Sequence, residues 1–559
     1  MKTGRTLFLY GAACALVTGS SALAQVTPPV AVQPGRPQPQ TPAQPEFDFR
    51  LEAPQRSPVP RSVDEIHFKL IDLRIEGAVA LKAADFRPLY AGLLGKDVTL
   101  SNILDVADAI EQKYRAMGYV LVRAYVPPQK VKDGVFTIKV SEGYVASASV
   151  EGSNPGTRRQ TEAYLQPVLA DHPLEISTIE RALLLTNDIP GVTATGVLRP
   201  SATTTGASDL VVSETQPLAQ GGLAVDNRGS QFSGFWTLTG DAELNGIFGP
   251  DQFGASMTTS PDQTDQISGQ ARYRRAIGDN GLIGSVIVTV AHGAPGSTLS
   301  QFGLLTDSWA VGPRFTYPIE RSRAETISLE GGLTFQDSRE NLDAFHTVLS
   351  HDQWQVFDIG VSWLRNGLWG ANWAANLDLA QGVPFLGGTD SHTPGLSRPD
   401  GLMDFTKITG VARVQKPLVG ELSAVVALQG QLSFAPLITG EQIAFGGTQI
   451  GRGYDPGAIT GDDGFGSAFE LRYDVHTKNS IFRTIEPYAF FESAWAWYLN
   501  GTINPPPVPN LASVGGGLRF YFPWNVYLDV EAAQTLNAVP GSDNGKQATK
   551  VLMDASVRF

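Results

Sequence analysis

The 559 residues carry a formal net charge of −13, seven histidines and one cysteine, with 42% hydrophobic residues. That balance gives no support for nucleic-acid binding, and a single cysteine supplies no disulfide framework. The length allows about two to four domains.

The first element is a secretory signal peptide, residues 1–24. Lys2 and Arg5 form its basic region, Leu7 to Val17 its apolar stretch, and Ala22-Leu23-Ala24 an A-x-A-type site with cleavage between Ala24 and Gln25. The apolar stretch is too short to span a bilayer. Cys14 lies inside it, so the exported chain is expected to hold no cysteine and to do no thiol chemistry. Gly11 stands where a lipobox has Leu, which argues against lipidation of Cys14. No later run approaches the length of apolar sequence that a membrane helix needs.

Residues 25–61 are rich in Pro and Gln, as in Pro34-Gly35-Arg36-Pro37-Gln38-Pro39-Gln40, and predict an extended, mobile linker. The pattern changes at residues 62–143. Phe68 to Glu76 reads as a strand, and Ala83 to Leu94 as a helix with Pro88 in its first turn or so. Leu100 to Met117 is a stronger helix: Leu100, Ile103, Leu104, Ala107, Ile110 and Tyr114 share one face, Thr99 is placed to cap it and Gly118 to close it. Leu121 to Val126 and Val135 to Val140 follow as strands. The β-α-α-β-β order repeats over residues 144–217. Its parts are a strand at Tyr144 to Glu151, a helix at Thr157 to Leu169, a helix opened by a Ser177-Thr178-Ile179-Glu180 capping box, and strands at Val192 to Leu198 and Leu210 to Glu214.

Residues 218–559 contain no convincing helix. Ile327, Leu329, Leu333 and Phe335 alternate with Thr326, Ser328, Glu330 and Thr334; Phe469, Leu471, Tyr473 and Val475 alternate with Glu470, Arg472, Asp474 and His476. The same holds for Val526, Leu528, Val530 and Ala532 against Tyr527, Asp529 and Glu531, and for the final run through Val557 and Phe559. A charged polar face opposite a continuous apolar face is the pattern of strands between lipid and a wet lumen. Turn signals divide the region into about sixteen strands. Short connections, such as Gly249-Pro250, Asn366-Gly367 and Pro523-Trp524, alternate with long ones at Gly293 to Thr306, Gln336 to Ser350, Pro384 to Gly401, Gln431 to Gly464 and Leu536 to Lys550. The predicted fold is two small periplasmic α+β domains followed by a 16-stranded antiparallel transmembrane β-barrel. An even strand number puts both barrel ends, and the domains ahead of it, in the periplasm.

The connection at 431–464 carries Gly446-Gly447-Thr448-Gln449-Ile450-Gly451-Arg452-Gly453-Tyr454-Asp455-Pro456-Gly457. Its glycines and proline exclude helix and ladder, and about thirty residues without regular structure mark a functional loop when apolar side chains are present. It is not a P-loop, because Arg452 and Gly453 stand where Lys and Ser/Thr are required. Gly451-x-Gly453 also fails the dinucleotide pattern at Pro456.

These features together resemble the TpsB family of two-partner secretion transporters, within the superfamily of outer-membrane barrels preceded by POTRA domains. The β-α-α-β-β pair is similar to two POTRA domains, with Leu185-Thr186-Asn187-Asp188-Ile189-Pro190-Gly191-Val192 and Leu198-Arg199-Pro200 similar to the second. Val225-Asp226-Asn227-Arg228-Gly229 resembles the first barrel strand, and Tyr317-Pro318-Ile319-Glu320-Arg321-Ser322-Arg323 a mid-barrel turn. Arg452, Gly453 and Tyr454 match the V-R-G-F/Y motif of a sixth loop that folds into the pore; Gly451 replaces Val. The partner motif on strand thirteen, F-x-D-x-G, reads Phe490-Phe491-Glu492-Ser493-Ala494, with Glu for Asp and Ala for Gly.

The resemblance implies an outer-membrane transporter that binds a large TpsA-like exoprotein through its POTRA domains and secretes it unfolded through the pore, with Arg452 paired to Glu492 beside Phe490. It implies no catalytic residue, no metal and no cofactor, a lipid-embedded barrel, and a monomer. A barrel-assembly insertase of the same superfamily and a passive porin are the alternatives. The first is disfavoured by only two POTRA domains, the second by their presence.

Overall fold

The computed structural model describes residues 48–51, 67–131, 133–204, 206–262, 266–296, 303–477, 481–499, 510–540 and 542–559. The signal peptide and its Ala24–Gln25 cleavage point lie outside the described residues.

The first α+β domain packs α1 (Ala83–Tyr90) and α2 (Leu100–Ala116) on a sheet in which Asp72–Glu76 runs parallel to Val135–Ser141 and Arg123–Tyr125 antiparallel to it. Its core joins Phe86, Ile103, Ile110 and Tyr114 from the helices to Phe136 and Ile138 from the sheet. Thr99 caps α2 by accepting from the Asn102 N–H, and Gly118 at φ +94° ends it. Pro88 is the sixth residue of α1, not part of its first turn. Lacking an N–H, it leaves the Ala84 carbonyl without its helical partner, and the helix stops two residues later. Burial, and then the bond to Glu142 (2.6 Å), push the Tyr114 phenol well above its ordinary pKa, so it stays a neutral donor.

In the second domain Val145–Glu151 runs parallel to Ser208–Thr215, which pairs antiparallel with Thr193–Pro200. Two helices cover this sheet, α3 (Pro155–Ala170) and α4 (Ile176–Asp188). The expected Ser177 capping box does not form. Asp171 accepts from the Glu175 N–H (2.9 Å) and the Thr178 hydroxyl (2.7 Å), and α4 opens at Ile176, so Ser177 already lies inside its first turn. The Pro-rich stretch also departs from a plain tether. Asp48–Leu51 adds a parallel strand to Thr193–Pro200, from Asp48 opposite Thr195 to Leu51 opposite Leu198. Residues 46–53 hold no proline, which leaves every N–H available for a ladder.

The second unit is a closed antiparallel barrel. Its strands are β1 (Ala219–Asp226), β2 (Thr237–Asn245), β3 (Asp251–Ser260), β4 (Gln266–Ile277), β5 (Leu282–Gly293), β6 (Leu304–Arg321), β7 (Glu325–Leu342), β8 (Thr347–Leu368), β9 (Ala371–Gly382), β10 (Thr406–Pro417), β11 (Leu422–Ser433), β12 (Asp463–Tyr473, resuming at Val475–His476), β13 (Thr484–Trp497), β14 (Asn510–Tyr521), β15 (Val526–Thr535) and β16 (Thr549–Arg558). β1 and β16 close the cylinder from Gly222 opposite Arg558 to Asp226 opposite Asp554, and Gly221 and Phe559 exchange both backbone bonds at 2.9 and 3.0 Å. The alternation lies as expected on β7, where Leu329 points outward and Ser328 is buried. One predicted loop is mostly strand. Gln336 to Ser350 continues the β7–β8 hairpin, turning only at Asp343–Phe345, because Gln336, Ser338, Glu340 and Ser350 are buried on the lumen side and Ser350 donates to Glu340 (2.9 Å). Polar residues at strand period read as loop when the lumen face is polar.

Candidate functional site

The connection between β11 and β12 spans residues 434–462 and is built into the lumen rather than left irregular. Ile443–Phe445 pairs antiparallel with Ile459–Gly461, giving the loop a two-stranded stem. Ile443, Phe445, Ile450, Tyr454 and Ile459 pack against Ala494 and Ala496 of β13 and Leu511 of β14. The small Ala494 side chain, in place of Gly, therefore contributes contact area rather than obstruction.

At the tip, the Tyr454 N–H bonds the Gly451 carbonyl (2.9 Å), closing a turn that aims Arg452 at the wall. Gly451 has φ +97°, a conformation that Val adopts only under strain, and a Cβ there would stand 2.9 Å from Leu511. A side chain at Gly453 would press on Thr535 and Ser513 at 3.1–3.2 Å. The tip thus lies against β14 and β15.

Arg452 is 8% exposed and Glu492 fully buried. One carboxylate oxygen of Glu492 accepts the N–H groups of Gly451 and Arg452, each at 2.8 Å; the other accepts the guanidinium Nε at 2.7 Å. The longer arm of Glu therefore grips the loop backbone and its cation together. Arg452 Nη1 also reaches Glu470 of β12 (3.0 Å) and Glu531 of β15 (3.2 Å), while the guanidinium carbon lies 3.6 Å from the centre of the Phe490 ring. The cation is compensated by three carboxylates and an aromatic face, which offsets its desolvation. The Tyr454 hydroxyl lies 2.8 Å from the carbonyls of Ala512 and Asn537 and 2.7 Å from the Asn537 side-chain oxygen. Asp455 forms an ion pair with Lys550 of β16. Tyr488, Phe490 and Glu492 share the lumen face of β13; Phe491, Trp495 and Trp497 face outward.

The stem has its own anchor on the opposite side of the strand order. The buried Glu441 carboxylate accepts from Trp354 Nε1 of β8 (2.7 Å) and Gln336 of β7 (3.1 Å), and Lys407 Nζ of β10 stands 2.7 Å away. The loop is strapped across the lumen, held by β7, β8 and β10 at one end and by β12, β13 and β15 at the other. This arrangement positions and holds a segment; the groups around Arg452 serve one another.

A family model for haemolysin secretion/activation proteins (ShlB/FhaC/HecB) matches residues 206–520. The chain belongs to that family. A ShlB-type POTRA model matches residues 68–143. The heme/hemopexin transporter protein HuxB of Haemophilus influenzae (strain 86-028NP) is 21% identical over 465 residues, 79% of each chain. The outer membrane transporter CdiB of Dickeya dadantii (strain 3937) is 23% identical over 411 residues, 71% of each chain. The solved structure of CdiB from Escherichia coli superposes with a TM-score of 0.70 at 20% identity, covering 91% of this chain and 93% of that one. The family is one of outer-membrane transporters, with the POTRA region in the periplasm.

Within this family member the structure brings together every loop and wall residue expected from the sequence: Gly451, Arg452, Gly453, Tyr454, Phe490 and Glu492. It adds Glu470, Glu531 and Ser513, whose hydroxyl lies 3.2 Å from Glu492. Alternation placed Glu470 and Glu531 on polar faces, but only strand register sets them around one guanidinium. Glu441 and its partners gave no motif signal; a carboxylate beside apolar Ile438 and Ile443 was the one available hint.

Proposed function

We propose that this transporter takes a large exoprotein in the periplasm through its POTRA domains and passes it, unfolded, through the barrel, with no covalent step. The observation that carries the reading is the strap. It fills a polar lumen yet is held by side-chain contacts at Glu441 and Arg452, so it can move while the ladders of the barrel stay paired. A barrel of sixteen strands leaves an aqueous channel that suits an extended chain better than a folded domain. A passive pore needs neither the strap nor a pair of domains ahead of it. The POTRA sheets offer edges on which an extended client can add as a strand. The names of the relatives, transporters in each case, support the same class.

The test is release of a large exoprotein co-expressed with this chain and found in the medium only when it is present, comparing full-length transporter with one lacking residues 62–217. Both must first give equal amounts of inserted barrel. Loss of the exoprotein from the medium is expected, and undiminished release would overturn client recognition by that region.

A further inference from the structure

Arg398 lies in the external connection between β9 and β10, Asp462 at the foot of the inward loop, and Leu499 just beyond β13. Three separate external connections therefore meet here. Asp462 is fully buried and Arg398 is largely so. The two form a direct ion pair. Arg398 Nη1 donates to the Leu437 carbonyl (3.0 Å) and Nη2 to the Leu499 carbonyl (3.1 Å). In the reverse sense, Asp462 accepts from the Leu437 N–H (3.0 Å) and the Leu499 N–H (2.7 Å). Both backbone groups of two residues, from two different connections, are thus gripped by one ion pair. The Tyr498 ring stacks 5.2 Å from the Arg398 guanidinium, and its hydroxyl lies 2.8 Å from Thr460.

We propose that Arg398 and Asp462 form an outer gate: a clamp that ties the β9–β10 connection to the β11–β12 connection and to Leu499 at the outer end of β13, separate from the Arg452 tip, and that must part for the channel to conduct. The geometry favours this over a generic stabilising pair for two reasons. Arg398, between β9 and β10, reaches Leu499 beyond β13, and those strands are not neighbours in the wall; only the Asp462–Leu499 contact extends a ladder, that of β12 and β13. The planar fork of arginine also spans two carbonyls and a carboxylate at once, which fixes three segments with one side chain. Breaking the pair leaves the β9–β10 and β11–β12 connections joined only through the Leu402–Leu437 bridge and its packing, so the outer surface parts where clamp and bridge open together while the wall remains closed.

The two residues should not be equivalent. Without Arg398, the Asp462 carboxylate keeps the N–H groups of Leu437 and Leu499. Without the carboxylate, those two N–H groups lose their acceptor and the largely buried guanidinium, left with the Leu437 and Leu499 carbonyls, loses its counter-charge, the heavier loss.

This inference rests on the transporter reading, but its test needs no exoprotein. Purified full-length chain is recorded in planar bilayers in potassium chloride. Arg398→Ala should raise open time by about tenfold, the scale of one lost charge-assisted hydrogen bond, and Asp462→Ala by more. Each variant is first checked for heat-modifiable mobility. A third variant, Leu402→Cys/Leu437→Cys, covers the case in which these fail to insert. Leu402 and Leu437 form a parallel bridge, and bridge partners stand roughly 5 Å apart, within disulfide range. Oxidation should silence openings, even with Arg452→Ala added, and dithiothreitol should restore them. Unchanged open time in Arg398→Ala, or equal openings with the disulfide formed and reduced, would overturn the gate while leaving the transporter reading intact. Absent exoprotein release with these responses present would do the opposite.

Discussion

Replacing Arg452 by Ala removes one cation from three carboxylates, and the structure sets how much each one loses. Glu492 keeps the Gly451 and Arg452 N–H groups and the Ser513 hydroxyl. Glu470 keeps Arg472 and Arg519, and Glu531 keeps Arg228 and Tyr488. No carboxylate is left bare, so the loss should sit near the low end of the range for a broken buried pair, about 3 kcal/mol. Glu492→Ala works differently. The guanidinium keeps Glu470 and Glu531, but two buried N–H groups lose their acceptor at about 1–3 kcal/mol each. The two single variants should therefore be similar in size. The double variant should be little worse than either, with a coupling of about 2 kcal/mol or more. A loss of about 3 kcal/mol moves the docked-to-undocked ratio of the loop by roughly two powers of ten. Single-channel recording and protease sensitivity of residues 443–461 measure that ratio; exoprotein release, expected to fall in each variant, measures its consequence. The barrel itself should keep its heat-modifiable mobility, because its ladders do not involve these side chains. Fully additive losses across the cycle, or wild-type conductance and release from Arg452→Ala, would refute the reasoning.

The barrel should run faster on a gel before boiling than after, since a closed barrel keeps its hydrogen bonds internal in detergent; identical mobility would contradict closure between β1 and β16. Leu329→Arg, on the lipid side of β7, should destabilise the barrel by about 2–4 kcal/mol if near the midplane, read as a lowered midpoint in a urea titration in lipid vesicles, whereas Ser328→Arg on the lumen side should not show that depth-dependent loss. Glu441→Ala takes the carboxylate from beside the buried Lys407 and should free the stem at about 3–5 kcal/mol, seen as proteolysis between residues 434 and 445 with the Arg452 tip still protected.

The architecture was largely legible in the sequence because two periods speak clearly. Alternation on β7, β12, β15 and β16 exposed the lipid and lumen faces, and the 3.6-residue face of Leu100 to Tyr114 marked α2. The pore-facing motif was legible too, since Arg452-Gly453-Tyr454 and Phe490-x-Glu492 are local. What failed were features decided by contacts distant in sequence. The β7–β8 hairpin looked like a loop because its lumen-facing residues are polar and its partners, Glu441 among them, lie far along the chain. Ser177 looked like a cap, but Asp171 fixes the helix start ahead of it. Glu470 and Glu531 could be assigned to a face but not to Arg452, because register between β12, β13 and β15 follows from the whole cylinder.

The unequal strand lengths have a consequence for how the transporter presents itself outside the cell. β1 has eight residues and β8 has twenty-two, which at about 3.4 Å per residue is roughly 27 Å against 75 Å of strand. Tilted by about 40°, the first spans roughly 21 Å, short of an apolar band of about 25 Å, while the second at roughly 57 Å rises well beyond it. The rim is therefore stepped, low at the seam and tall at the β7–β8 hairpin, whose turn carries the exposed Phe345. Among the described residues that turret offers an antibody, a phage or a neighbouring cell an exposed outer landmark, and a tag inserted there would report surface display from a point remote from the Arg452 tip.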